Sequence, residues 1–203
     1  QTIEEVSFWH LSERKLVTLS NAECHFGYRD SIFKTQLRGL FFITSVTFRL
    51  NKKPVLNTSY GAIEQELKDM GIAHPTVKDV AQSVIRIRTS KLPDPKVTGN
   101  AGSFFKNPTI PLAHYKMLQA AYPSIPHYPV SDDTVKVPAA WLIEQCGWKG
   151  HRTGDAGVHT KQALVLVNYG HASGNEIWQL SGDIIDSVAN RFNISLEREV
   201  QVW

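Results

Sequence analysis

The chain has 203 residues, 42% of them hydrophobic, which is enough to bury the core of one large or two small domains. With 22 basic and 19 acidic residues, the net charge is only +3, and this balance argues against a general nucleic-acid-binding protein. No apolar segment approaches the roughly 20 residues of a membrane span, and no signal peptide is recognisable. Cys24 and Cys146 lie far apart without metal-ligand spacing, so we expect reduced thiols and a cytosolic protein.

The first fifty residues are predicted to be mostly sheet. Residues 2–11 and 15–20 alternate apolar and polar side chains around a polar turn, which indicates a hairpin, and residues 39–50 form a β-rich run. Two helices are predicted next, over about 61–70 and about 77–89, with Thr76 as the cap of the second. The apolar stripe expected on the second helix consists of Val77, Val80, Ala81, Val84 and Ile85.

A stretch rich in proline and glycine, residues 91–103, predicts a loop at a domain boundary. Beyond it the periodicity predicts helices at about 111–121, 138–146 and 175–191, a buried strand at 163–168 and a closing strand at 194–203. Separate groups of strands and helices in this order indicate an α+β fold.

The stretch "GNAGSFFKNP", residues 99–108, places a lone serine between two glycines and an aromatic pair. The glycines indicate a bend or a close backbone approach, so Ser103 is expected where a turn meets a strand, a position that presents its side chain. The simpler interpretation is that Ser103 is a turn or cap residue beside two core phenylalanines.

Seven stretches occur in order along the chain: "GYRDSIFK" (27–34), "SYG" (59–61), "RTSKLPDPK" (88–96), "GNAGSFFKNP" (99–108), "AAWLIEQCGWKG" (139–150), "HTKQALVLVN" (159–168) and "LEREV" (196–200). Together they resemble the flavoenzyme family of UDP-N-acetylenolpyruvoylglucosamine reductase, a bacterial, cytoplasmic enzyme of early peptidoglycan synthesis. The resemblance implies an oxidoreductase that uses FAD and NADPH, and whose substrate is the enolpyruvyl ether of UDP-N-acetylglucosamine.

The resemblance also implies a domain division. Residues 1–90 resemble the end of the second flavin-binding lobe, a mixed sheet plus helices, and residues 91–194 a separate α+β substrate-binding domain. Residues 195–203 would return as a strand toward the flavin lobes. Family members carry, ahead of what is residue 1 here, the parts that hold most of the FAD, and no glycine-rich phosphate loop occurs in this chain. We therefore expect that this chain alone does not retain FAD and is inactive by itself.

In the family reaction, hydride from reduced FAD reaches C3 of the enolpyruvyl group and a proton reaches C2, so the site needs groups that stabilise an enolate and an acid near C2. By resemblance, Ser103 donates the proton, Arg29 contacts the substrate carboxylate and Glu199 helps to stabilise the enolate. An Arg29–Asp30 surface pair is the alternative for the arginine, and Glu197 is a rival of Glu199. A glutamate with this role needs a raised pKa, for which burial is the usual means.

The resemblance assigns further residues to the UDP-sugar: Tyr60, Lys91, Asn107 and Gln162, with Tyr128 and Lys136 as weaker candidates. The alternatives are that Tyr60 begins a helix, that Lys91 is a solvated loop charge and that Asn107 is a turn residue before Pro108. His159 suggests acid–base or metal chemistry, but eight scattered histidines without ligand spacing argue against a metal site. A second hypothesis is that the chain is a nucleotide-sugar-binding module without catalysis.

Overall fold

The computed structural model describes residues 2–59 and 62–201, and within them the fold is α+β, as predicted. The strands are β1 Ile3–His10, β2 Lys15–Ser20, β3 Phe41–Phe48, β4 Gly99–Ser103, β5 Thr109–Pro111, β6 Tyr128–Pro129, β7 Thr134–Lys136, β8 Arg152–Thr153, β9 Ala156–Val158 and β10 Val165–Asn168. The helices are α1 Ile63–Asp69, α2 Val77–Lys91, α3 Leu112–Ala121, α4 Ala139–Gln145 and α5 Gly174–Phe192. None of these helices has the length and apolar character to cross a membrane.

The first sheet has the strand order β2-β1-β3 and is antiparallel throughout, so the predicted hairpin and third strand are confirmed. One face of the sheet is buried, because Val6 and Phe8 of β1 pack against Phe33 and form a small core. The opposite face is open: Trp9 lies opposite both Leu16 and Phe42, and all three side chains are exposed.

Helix α2 begins with a capping box, which confirms the predicted role of Thr76. The Thr76 hydroxyl accepts a hydrogen bond from the Asp79 N–H, and the Asp79 carboxylate accepts one from the Thr76 N–H. The predicted apolar stripe is wrong in part, since Val77 and Ile85 are exposed and the buried position is Ser83. Helix α2 packs chiefly against α1, which covers only a narrow face.

A second, larger core joins two further antiparallel sheets, β4-β10-β9-β8 and β5-β7-β6, to helices α3, α4 and α5. Helix α5 turns Leu180, Ile184, Val188 and Phe192 into this core, as its periodicity predicts. Both predicted core phenylalanines of "GNAGSFFKNP", Phe104 and Phe105, are also buried there.

The closing strand predicted at 194–203 is not present as a regular strand in the part of this segment that the structure describes. Its side chains alternate between buried and exposed from Ile194 to Glu197, which is the pattern that suggested a strand. The backbone, however, makes a single bridge, between Phe105 and Arg198. The alternation arises because one side of the segment lies on the core, and among residues 2–59 and 62–201 no strand continues the pairing.

Candidate functional site

Two of the predicted catalytic residues form an ion pair. Arg29 Nε lies 2.7 Å from Glu199 Oε1, although the two residues are separated by almost the whole chain. The pair is partly solvated, since half of the Arg29 side chain and 26% of the Glu199 side chain are exposed. The sequence led us to expect a buried Glu199 carboxyl, and the structure instead shows a partly exposed one beside a guanidinium.

Arg29 occupies a tight turn with an unusual backbone conformation. Its φ is +56°, in the left-handed region that residues other than glycine rarely adopt. Gly27 and Asp30 bridge the turn, with the Gly27 N–H donating to the Asp30 carbonyl at 2.9 Å. Lys34 Nζ donates to the Arg29 carbonyl at 3.1 Å. Non-glycine residues in this conformation are concentrated at functional sites, where the surrounding structure offsets the strain.

Aromatic and cationic side chains from three segments meet beside this pair. Tyr28 stacks with Lys136, whose Nζ lies 3.3 Å from the ring centroid, and the Arg29 guanidinium lies 5.4 Å from the same centroid. Lys136 in β7 is paired across the strands with Tyr128 of β6. The structure therefore brings Arg29, Glu199, Lys136 and Tyr128 to one place.

An open groove of about 650 Å³ extends from Tyr28 and Glu199 along the adjoining segments. Lys34, Arg38 and Lys106 contribute positive charge to its lining. Asn107 also lines the groove, and its Oδ1 accepts a hydrogen bond from the Ala139 N–H at 2.9 Å. Asn107 is thus more than a turn residue, because its side chain holds the start of α4.

The two glutamates of "LEREV" have different partners. Glu197 pairs with Lys106, and 70% of its side chain is exposed. Glu199 pairs with Arg29. Both side chains line the groove, but only Glu199 contacts a second predicted catalytic residue.

Ser103 is the last residue of β4, so the loop predicted over residues 91–103 is wrong from Gly99 onward, and Ser103 ends a strand instead of beginning one. The preceding Gly102 has a φ of +72°, as its position at a bend predicts. Ser103 is exposed and lies opposite Val165 of β10. The next residue, Phe104, accepts a hydrogen bond at its carbonyl from the Glu199 N–H at 2.9 Å. Ser103 is therefore one residue from the backbone contact that anchors Glu199.

Lys91 and Gln162 lie apart from the groove lining. Lys91 is the exposed last residue of α2, and the neighbour of Gln162, Lys161, reaches the carbonyl of Ser90 with its Nζ at 3.4 Å. The Gln162 carbonyl accepts a hydrogen bond from the Val165 N–H at 3.0 Å. Because Val165 lies opposite Ser103, this second group is close to the serine in the sheet. Tyr60 lies outside the described residues.

His159 is half-buried next to β10 and shows no catalytic arrangement. Burial lowers the pKa of His159 below its usual value of 6.5, and the positive charge of Lys161 adds to this effect. Within residues 2–59 and 62–201, no group of three or more histidine, cysteine, aspartate or glutamate side chains is arranged to hold a metal ion.

The sequence analysis did not select Tyr28, Lys34, Arg38 or Lys106 as site residues. Tyr28, Lys34 and Lys106 stand inside the stretches that carry the resemblance, "GYRDSIFK" and "GNAGSFFKNP", so a signal was available for them. Arg38 lies outside every such stretch, and only the fold brings it to the groove.

Known proteins that are similar to this chain come from one family. A family model described as UDP-N-acetylenolpyruvoylglucosamine reductase, C-terminal domain, matches residues 94–203. Curated proteins named UDP-N-acetylenolpyruvoylglucosamine reductase match from Chromobacterium violaceum, 52% identical over 90% of this chain and 53% of that protein, and from Flavobacterium johnsoniae, 51% identical over 95% and 58%.

The crystal structure of UDP-N-acetylenolpyruvylglucosamine reductase from Thermus caldophilus matches the whole chain and 53% of its own, with a TM-score of 0.57. At 23% identity this match shows a shared fold. The chain spans about half the length of the curated relatives that it matches. The family model and the identities lead to one conclusion: this chain belongs to the UDP-N-acetylenolpyruvoylglucosamine reductase family.

Proposed function

We propose that this chain supplies the substrate-binding and proton-donating part of a reductase that converts the enolpyruvyl ether of UDP-N-acetylglucosamine to UDP-N-acetylmuramate. Family membership supports the reaction. The observation that carries the residue assignment is the 2.7 Å contact between Arg29 and Glu199, because two side chains chosen from separate stretches of sequence meet, and Glu199 lines the groove.

We also propose the division of the chain that the resemblance implies, into residues 1–90, 91–194 and 195–203. Two separate hydrophobic cores support a boundary between the first unit and the second, and Leu196 of the closing segment packs in the core of the second. The smaller includes Val6, Phe8 and Phe33, and the larger contains buried residues from Phe104 to Leu196. The Arg29–Glu199 pair then joins the first unit to the closing segment.

Arg29 is proposed to bind the substrate carboxylate. A guanidinium can donate two parallel hydrogen bonds to a carboxylate, which orients that group as well as attracting it. As hydride arrives at C3, negative charge develops on the same carboxylate, and the cation stabilises it more strongly in the transition state than in the ground state. Glu199 orients the guanidinium through the ion pair and lies beside the developing enolate.

Ser103 is proposed to donate its hydroxyl proton to C2. An enolate carbon is strongly basic, so transfer from a hydroxyl is downhill when the two atoms are within hydrogen-bond reach. The position of Ser103 at the end of β4, with Gly102 in a left-handed bend, supports this role because the side chain is exposed.

The UDP moiety is proposed to interact with the remaining candidates. Lys136 and Lys91 bring positive charge for the diphosphate, and Tyr128 beside Lys136 offers a ring for stacking. Gln162 and Asn107 are assigned to polar substrate groups. The side-chain oxygen of Asn107, Oδ1, accepts a hydrogen bond from the Ala139 N–H, so Asn107 would contact the substrate through its side-chain nitrogen, Nδ2.

The two longest helices offer no open N-terminus for the pyrophosphate of FAD. Such a group needs an open helix N-terminus or a loop of backbone N–H groups. The two longest helices are closed at this end by their own carboxylates, Asp79 at α2 and Glu176 at α5. We therefore propose that FAD, and the NADPH that reduces it, bind mainly outside these residues and that this chain purifies without flavin. Absorbance near 450 nm that co-elutes with the purified chain in stoichiometric amount would contradict this proposal.

The decisive experiment uses a chimera in which the half not spanned by this chain comes from the Chromobacterium violaceum relative. Ser103→Ala should lower turnover of the enolpyruvyl substrate by about 10² to 10⁴, while substrate affinity changes little. Ser103→Cys keeps a proton at nearly the same place and should recover part of the loss. Ser131→Ala, which removes an exposed hydroxyl bonded to Thr134, is the matched control.

Stopped-flow measurement separates the two half-reactions of the chimera. Reduction by NADPH should be unchanged in Ser103→Ala, because that step does not involve C2 of the substrate. Normal substrate turnover, or a defect confined to reduction by NADPH, would show that Ser103 is only a turn residue. A chimera that binds the UDP-sugar but never reduces it would favour the binding-module hypothesis.

A further inference from the structure

Glu199 belongs to a segment that no regular sheet holds in place. The Lys106 N–H donates to the Glu197 carbonyl, and the Glu199 N–H to the Phe104 carbonyl, both at 2.9 Å. Apart from these two bonds and the Phe105–Arg198 bridge between them, residues 194–201 belong to no ladder in the part of the chain that the structure describes. A carboxylate that must point at Arg29 therefore needs a further anchor.

Arg198 stands between Glu197 and Glu199 in the stretch that lines the groove, and its side chain contacts α5. Its guanidinium carbon lies 3.7 Å from the centroid of the Trp178 ring, and its Nε donates to the Ser181 hydroxyl at 2.7 Å. Ser181 is fully buried, and its own hydroxyl donates to the Trp178 carbonyl at 2.6 Å. One side chain thus joins the segment to two residues of α5.

The environment of Arg198 is unusual for an arginine. Burial lowers the pKa of the Arg198 guanidinium, and the charge of Asp186 opposes this effect. Among the residues that the structure describes, no carboxylate lies within ion-pair distance of Arg198. A partly desolvated cation without a carboxylate is costly, so the ring and the hydroxyl are the groups that compensate it.

We infer that Arg198 is a positioning residue: its contacts with Trp178 and Ser181 fix the direction in which Glu199 meets Arg29. In an extended segment, neighbouring side chains point to opposite sides, so holding Arg198 on α5 turns Glu199 toward the groove. The inference rests on the proposed function for its catalytic meaning, but its structural part is independent of that function.

The first test uses this chain alone and measures amide hydrogen exchange. Arg198→Gln should accelerate exchange at the Glu199 and Lys106 amides by about tenfold, because the anchor that keeps their hydrogen bonds closed is lost. The His159 amide, which donates to the Val165 carbonyl in the β4-β10-β9-β8 sheet, should be unaffected. Arg198→Lys retains a cation for the ring and should restore part of the protection.

Two further variants complete this test. Arg152→Gln is the matched control, because Arg152 also stacks on an aromatic ring, that of Tyr169 at 4.4 Å, but in β8, at the opposite edge of the sheet from β4. It should leave exchange at Glu199 unchanged. If Arg198→Gln also accelerates exchange at the His159 amide, the variant has lost global stability. The test then uses Trp178→Leu, which removes the ring and keeps the guanidinium.

The second test is a double-mutant cycle in the chimera. Glu199→Gln should reduce turnover strongly when Arg198 is present and by less than about threefold in the Arg198→Gln background, because Arg198 acts through Glu199. A merely stabilising arginine would leave the effect of Glu199→Gln the same in both backgrounds.

The outcomes separate the two proposals. Unchanged exchange at Glu199 in both Arg198→Gln and Trp178→Leu overturns the inference, whatever the activity of the chimera. Accelerated exchange with equal effects of Glu199→Gln in both backgrounds also overturns it. If the chimera has no activity, the proposed function fails, and exchange at Glu199 alone decides whether Arg198 positions this carboxylate.

Discussion

Gly157 occupies the middle of β9, where a side chain has no room. A Cβ at this position would lie 2.8 Å from Tyr169 Cε2 and 2.9 Å from the His151 carbonyl oxygen. The tyrosine is partly exposed and can move, but the carbonyl is backbone and accepts a hydrogen bond from the Val158 N–H at 2.8 Å. Gly157→Ala therefore forces the strand itself to shift.

The magnitude follows from these contacts. Overpacking costs about 1–3 kcal/mol, and the weakened Val158 hydrogen bond about 1 kcal/mol more. Displacing Tyr169 also disturbs its stack with Arg152, which contributes about 0.5–1 kcal/mol. Alanine also reduces the conformational freedom of the unfolded chain, and this offsets about 0.5 kcal/mol of the loss. We expect a loss of about 3 kcal/mol in the free energy of unfolding, and a melting temperature lower by about 10 °C.

Urea and thermal unfolding, followed by circular dichroism, measure this loss. Gly174→Ala is the matched control, because a Cβ at Gly174 meets no atom within 4 Å and the position has no left-handed backbone. It should be neutral or slightly stabilising. The same unfolding midpoint for Gly157→Ala and the wild type would refute the reasoning from close approach.

Three further predictions concern the core, the cap of α4 and the pH dependence of stability. Ile184→Ala should reduce the free energy of unfolding by about 2–5 kcal/mol in urea titrations, because its side chain is fully buried; a loss below 1 kcal/mol would contradict this. Asn107→Ala should cost about 1 kcal/mol by the same measurement, because it leaves the Ala139 N–H without its partner, and Asn107→Asp should retain most of the stability. Because burial lowers the pKa of His159, the folded state binds fewer protons at this residue than the unfolded state does. The contribution of His159 to the free energy of unfolding should therefore be fully present above pH 6.5 and decline as the pH falls below it. Unfolding measured from pH 7.5 to 5 should show a shallower decline in His159→Gln, and an identical slope would contradict this.

Periodicity predicted the elements whose faces are clearly divided between core and solvent. Helix α5 and the first hairpin are examples, and Thr76 marked the start of α2 because its capping box is local in sequence. The stripe on α2 was wrong in part because periodicity does not reveal how much of a helix its neighbours cover. The closing strand was wrong because alternation records burial and does not show whether a partner strand is present.

The short strands β5 to β9 were not predicted. They have two or three residues each, and Pro111 and Pro129 interrupt their pattern, so no periodic signal exists. Their positions depend on pairing with distant segments, as Lys136 pairs with both Thr109 and Tyr128.

The residues of the candidate site were selected only through the resemblance. Sequence alone left Glu197 and Glu199 equivalent, and the structure distinguishes them by their partners, Lys106 and Arg29. The sequence also could not identify Tyr28 as the ring that both Lys136 and Arg29 approach, because these contacts exist only when β7 lies beside the Arg29 turn.

The Arg29–Glu199 pair has a consequence for the order of folding. The β1–β2 hairpin closes over a few residues, whereas Arg29 and Glu199 are separated by nearly the full chain, and loop closure becomes more costly in entropy as the separation grows. Contacts of such range form late, after local hairpins and helices have reduced the effective distance. During synthesis, Arg29 therefore leaves the ribosome long before its partner does, and the groove stays incomplete until the segment around Glu199 has emerged.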